Sequence, residues 1–138
     1  MANNDSNDED GKNTGDMGVS ANIDQSKVVK YISLYYLHPF DHPGLIFVTN
    51  PLSESGDHYF TWSGSFMNAF HSKNKVEFVD RMLKKPDIAS LDFQPWIQCN
   101  VVVLSWLLNA LSKELQSSTA HIETATKIWE DLGDLSKG

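Results

Sequence analysis

Three side chains of metal-ligating type stand within five residues of one another in this 138-residue chain. They are His38, Asp41 and His42, set in the string Leu37-His38-Pro39-Phe40-Asp41-His42-Pro43-Gly44-Leu45. Two imidazoles and a carboxylate in a His-x-x-Asp-His order are chemically suited to a divalent metal, and structural zinc takes a fourth ligand. Here that ligand would have to come from Asp57, His58 or His71. The competing reading, which we favour, is that the three side chains cap turns and pack the loop onto a core.

Other chemistry is weaker. Ser63 and Ser65 flank Gly64 but form no Gly-x-Ser-x-Gly elbow, and no His–Asp pair stands beside them in sequence. Cys99 is the single cysteine, so the chain has neither an internal disulfide nor the clustered ligands of a zinc knuckle. A lone cysteine in a helical pattern reads as a small buried hydrophobe, inert as a nucleophile. Gly11 and Gly15 lack the Lys-Ser/Thr step of a phosphate-binding loop. No catalytic residue, cofactor site or small-molecule substrate is read from the sequence.

The elements that must position the His-Pro string follow from pattern. Each proline holds the residue before it extended and forbids a helix through the segment. The β-branched and aromatic run 28–37 shows neither a period of two nor of 3.6, and 45–49 is a short apolar run between Gly44 and Asn50-Pro51. Helix and strand stay open for the first by pattern alone, the second favours a short strand or extended segment, and the reading adopted for both is extended. A first helix is expected from Asp57 as N-cap, with Tyr59, Trp62, Phe66, Met67, Ala69 and Phe70 near one face and an exit at Lys73-Asn74-Lys75. Val76, Phe78 and Val79 form a small apolar knot.

A longer helix should start near Asp92 with Pro95 in its first turn. Its expected buried stripe is Phe93, Trp96, Ile97, Asn100, Val103, Leu104, Leu107, Leu108 and Leu111. Ser112 is placed to cap a short helix through Ser117. A last helix is expected over 120–132, ended by Gly133, with Ile122, Ala125, Trp129 and Leu132 on one face.

Charge is unevenly spread. The first 24 residues hold six acids against one base, five of the chain's seven net negative charges. With few apolar residues, the stretch 1–26 is read as a disordered acidic tail before one domain over 27–138. The cations Lys73, Lys75, Arg81, Lys84 and Lys85 make no continuous basic stripe, which disfavours nucleic acid as the partner. The start of the chain lacks a signal-peptide pattern and no apolar run reaches membrane-spanning length. The expected setting is intracellular, cytosolic or nuclear.

Five motifs in order carry a family resemblance. They are Leu37-His38-Pro39-Phe40-Asp41-His42-Pro43-Gly44, then Tyr59-Phe60-Thr61-Trp62-Ser63, then Lys73-Asn74-Lys75 with Phe78-Val79-Asp80. Trp96, Cys99, Asn100, Ser105, Trp106, Leu108 and Asn109 follow, and Ala125, Ile128, Trp129 and Leu132 close the series. Together they resemble the Copia-type Gag N-terminal module of plant retrotransposons. Departures include His58 where an asparagine is usual, the step Ser63-Gly64-Ser65-Phe66, and Arg81 in place of a common glycine.

The resemblance implies a mostly α-helical, capsid-like bundle of about four helices with short extended N-terminal segments. It implies a non-enzymatic domain that associates with copies of itself. The zinc knuckle, protease, integrase and reverse transcriptase of a full element are not in these 138 residues, so a truncated, degenerate or domesticated module is expected. Core packing is expected for Tyr59, Trp62, Phe66, Trp96, Leu104, Leu107 and Trp129. Trp106 is read differently: with Leu107 and Leu108 inward, it turns with Val102 and Val103 to a flank suited to an interface. The alternative reading is a monomeric adaptor that binds a host peptide or protein in a groove beside the first helix.

Overall fold

Backbone amides in an irregular chain must find partners, and here most find them within helices. The computed structural model describes residues 25, 26, 28 and 34–137. Residues 1–24 of the expected acidic tail, and most of 27–33, lie outside that set. From Leu34 onward the chain forms one unit. Among the described residues it is mostly helical, with four whole helices: α1 (Tyr59–Ser72), α2 (Phe93–Leu108), α3 (Lys113–Thr119) and α4 (Ala125–Leu135), plus a 3-10 turn at Val76–Phe78. Among the described residues there is no strand, only an isolated parallel bridge between Leu52 and Leu111. No helix among them is long and apolar enough to cross a membrane.

Several local expectations need correction. Val28, Leu34 and Tyr35 are helical, not extended, because β-branched and aromatic residues favour strands only where a neighbouring strand accepts their hydrogen bonds. The segment 45–48 likewise has no strand partner, and it lies irregularly with Phe47 and Val48 against the core. The residue flanking α1 is His58, left-handed at φ 66° and without a side-chain cap, instead of Asp57. Asp57 uses its own amide to donate to Ser55 Oγ. At α4 the cap is Thr124, whose hydroxyl accepts from Lys127 N.

That helix runs through Gly133 to Leu135. Gly133 serves close packing there: a Cβ would meet Tyr59 Oη at 3.3 Å. Other starts are where capping and proline chemistry put them. Asp92 precedes α2 with Pro95 in the first turn, where a missing amide costs nothing. Ser112 accepts from Leu115 N to open α3.

The core is aromatic. Trp62, Phe66 and Phe70 are the buried residues of α1, one helical turn apart as the 3.6 period requires. Trp129 of α4 stacks on Trp62 at 5.8 Å between centroids and stands edge-on to Phe70 at 5.6 Å. From the other side Phe47 meets Phe66 at 5.7 Å and Trp106 at 5.0 Å. Each such ring contributes about 1.5–3 kcal/mol by leaving water. Helix α2 packs on α4 and buries Trp96, Cys99, Asn100, Val102, Val103, Trp106 and Leu107. The expected stripe is thus widened toward Cys99, Val102 and Trp106, since α2 is covered on a second side.

Candidate functional site: the docked His-Pro loop

What covers that second side is the His-Pro string itself. Within it, Asp41 N donates to His38 O at 2.7 Å and His38 N donates to Asp41 Oδ2 at 2.9 Å. Phe40 N donates to His38 Nδ1, and Gly44 N to His42 Nδ1. Leu45 N closes a second turn on His42 O. The prolines remove amides that these turns have no use for, so the loop is nearly self-satisfied before it meets the core.

Docking then uses five side chains from elsewhere. Lys73, just past α1, pairs with Asp41 Oδ1 at 2.6 Å. Lys75 Nζ, fully buried, donates to Tyr36 O at 2.7 Å and Lys73 O at 3.2 Å. On α2, the Cys99 thiol donates to Tyr35 O, and Trp106 Nε1 donates to His42 O at 2.8 Å. Asn109 Nδ2 completes the clasp on Pro43 O at 2.7 Å. A buried charge is tolerated only where its protons are taken up, and Lys75 meets that demand with main-chain oxygens.

The electrostatics follow from the same contacts. Burial alone would push the Asp41 carboxyl up, but the Lys73 ammonium, the His38 amide and the more distant Lys75 together hold it below the ordinary value of 3.8. Burial pushes the Lys75 ammonium down and the Cys99 thiol up. Cys99 is therefore held as a neutral thiol inside the core.

A second clamp joins the other end of the bundle. Asn100 Nδ2 donates to Glu123 O at 2.8 Å and its Oδ1 accepts from Ala125 N at 3.0 Å. It thereby fastens the α3–α4 connection to α2 and satisfies the first amide of α4. Trp62 Nε1 donates to Ala110 O, which also accepts from Leu52 N. Beside α1 lies a recess of 240 Å³ lined by Phe47, Asn50, His58, Thr61, Trp62 and Ser65, among others.

The site residues expected from sequence fall out as follows. His38, Asp41 and His42 come together, but both Nδ1 atoms and both carboxylate oxygens are engaged in turn and clasp bonds. Among the described residues no group of three or more His, Cys, Asp or Glu is arranged to hold a metal ion. Trp62, Phe66, Trp96 and Leu107 are buried, and Tyr59, Leu104 and Trp129 are partly buried against the same core.

The expectation of an outward flank at Trp106, Val102 and Val103 is corrected. Trp106 and Val103 are 0% exposed and Val102 8%. The physical reason is that the partner anticipated for this flank is the chain's own loop, delivered from 64 residues away. Sequence reasoning missed Lys75 and Asn109 as anchors. Their only signal was position, in Lys73-Asn74-Lys75 at the helix exit and Ser105-Trp106-Leu107-Leu108-Asn109 at the end of α2.

Residues 38–87 match the family described as Gag-polypeptide of LTR copia-type. The match takes in the His-Pro loop, α1, the 3-10 turn and the start of the connection to α2, and so includes the first three of the five motifs apart from Leu37. The motifs of α2 and α4 lie beyond it. No curated protein and no solved structure matches the chain.

Proposed function

We propose that the helical unit is a non-enzymatic association domain derived from a Copia-type Gag polypeptide, acting by burying apolar surface between copies of itself. The observation that carries this reading, beside the family match over 38–87, is the irregular connection between the 3-10 turn and α2. It turns three large apolar side chains outward: Met82 at 76% exposure, Ile88 at 78% and Leu91 at 93%. In a two-fold contact each protomer contributes the same three. Six such side chains yield about 9–18 kcal/mol gross, against about 4–15 kcal/mol lost on association. The balance suits a contact that is concentration-dependent, as an assembly module requires.

The non-enzymatic part rests on side chains that are otherwise engaged. Ser63 donates to Phe60 O and Cys99 is buried as a thiol. Light scattering coupled to size exclusion, from low micromolar to millimolar protein, tests the association. Growth in mass with concentration, abolished in Met82→Ser/Ile88→Ser/Leu91→Ser, supports it. A monomer at every concentration overturns it.

A second reading, a monomeric adaptor, is favoured by one observation, the recess beside α1 with its aromatic floor and polar rim. Under that reading a bound peptide perturbs Thr61 and Ser65 resonances of a chain that stays monomeric.

A further inference from the structure

Next to that connection is a second concavity, of 340 Å³. Arg81, Leu83, Lys84 and Lys85 line it from the connection, Trp96 from α2, and Thr124 from the N-cap of α4. Its charge is one-sided: three cations and no acid line it. Arg81 is partly spoken for, since it pairs with Glu130. Lys84 and Lys85 have no ion pair among the described residues, and Lys85 Nζ rests 5.9 Å from the centroid of the Trp96 ring.

Two further observations point to a missing occupant. Trp96 is 4% exposed, and its indole N–H is the only buried side-chain polar atom without a partner among the described residues. Leaving such a donor unpaired is unfavourable. Thr124 Oγ accepts from Lys127 N, which leaves its hydroxyl proton free to be donated at the positive end of the α4 dipole.

We propose that this cleft binds an acidic peptide segment, with carboxylates drawn to Lys84 and Lys85 and an apolar neighbour laid against Leu83 and the Trp96 ring. A lysine that now rests on the aromatic face turns to a carboxylate. Nucleic acid fits less well. The free cations are two adjacent ammoniums with no stripe leading away from them, and apolar walls face them. Peptide binding here goes beyond self-association and does not depend on it, since a monomer has the whole cleft.

The test uses the full chain and a fluorescein-labelled twelve-residue peptide alternating Glu with Leu, followed by polarisation at low and moderate salt. The same peptide with Gln for Glu, and a labelled single-stranded oligonucleotide of equal length, are the comparison probes. Binding of the Glu peptide should exceed that of the Gln peptide by about tenfold or more and weaken with salt. Lys84→Glu/Lys85→Glu should lower it by a similar factor while leaving the circular dichroism spectrum unchanged.

In the same titration the Trp96 indole N–H resonance, assigned through Trp96→Phe, should move while that of Trp106 stays still. Equal affinity for the two peptides, an unmoved Trp96 resonance at saturation, or tighter binding of the oligonucleotide than of the Glu peptide would each overturn the proposal.

Discussion

Replacing Trp106 by alanine separates a core anchor from an interface residue. In the structure its indole is fully buried, edge-on to Phe47, with its N–H on His42 O. Truncating a buried tryptophan costs about 3–5 kcal/mol from lost transfer energy and the cavity. The His42 carbonyl keeps Leu45 N as a donor, so losing the indole hydrogen bond adds about 1 kcal/mol, the typical net worth of one such bond. The total, about 4–6 kcal/mol, is comparable to the lower end of the 5–15 kcal/mol typical of a domain. With a urea slope of about 2 kcal/mol/M the midpoint falls by about 2–3 M.

The assay is urea unfolding followed by circular dichroism at low protein concentration, so that association plays no part. Trp106→Phe, which keeps a ring and loses the N–H, should fall between the two, with a loss of about 1–3 kcal/mol. Amide exchange in 42–48 should rise in both variants, because the loop loses its anchor. An unchanged midpoint in Trp106→Ala, together with loss of self-association, would refute the reasoning and return Trp106 to an interface.

Four other outcomes follow from the same structure. Asp41 is held below 3.8 in the folded chain, so between that depressed value and 3.8 the unfolded chain binds more protons. The stabilisation from Asp41 is complete above 3.8 and is lost as pH falls through the folded value; Asp41→Asn should flatten the stability curve in that window, read from urea midpoints against pH. Gly64→Ala should stabilise by up to about 1 kcal/mol, since nothing stands within 4 Å of the added Cβ. Gly56→Ala should do the reverse in thermal melts, because Gly56 sits at φ +78° and its Cβ would press on Leu135 O at 3.0 Å. Asn100→Ala leaves Ala125 N and Glu123 O without their partner, a loss of about 2–4 kcal/mol that should also fray the start of α4 in hydrogen exchange.

Much of the secondary structure was legible because its causes are local. The spacing of Trp62, Phe66 and Phe70, the Asp92-to-Pro95 start and the Ser112 cap all act within a turn or two of helix. The likeness to Copia-type Gag was equally visible over the residues that the family match covers. Boundaries slipped where two local signals competed. Gly133 looked like a terminator, yet it allows the close approach of Tyr59, and Thr124 displaced Ala120 as the start of α4.

By itself, then, the sequence determined where the helices α1 to α4 fall and which of their faces are apolar, since those depend on neighbours three or four residues away. Only the tertiary structure decided which side of α2 would be covered. That helix is apolar on most sides, and its own pattern cannot distinguish a free flank from one sealed by a distant loop. The loop that seals Trp106 joins it across 64 residues, Lys75 reaches Tyr36 across 39, and Asn100 finds Glu123 across 23. Those pairings depend on where the folded chain brings backbone carbonyls, and any residue type supplies a carbonyl, so nothing in the side-chain sequence marks them in advance.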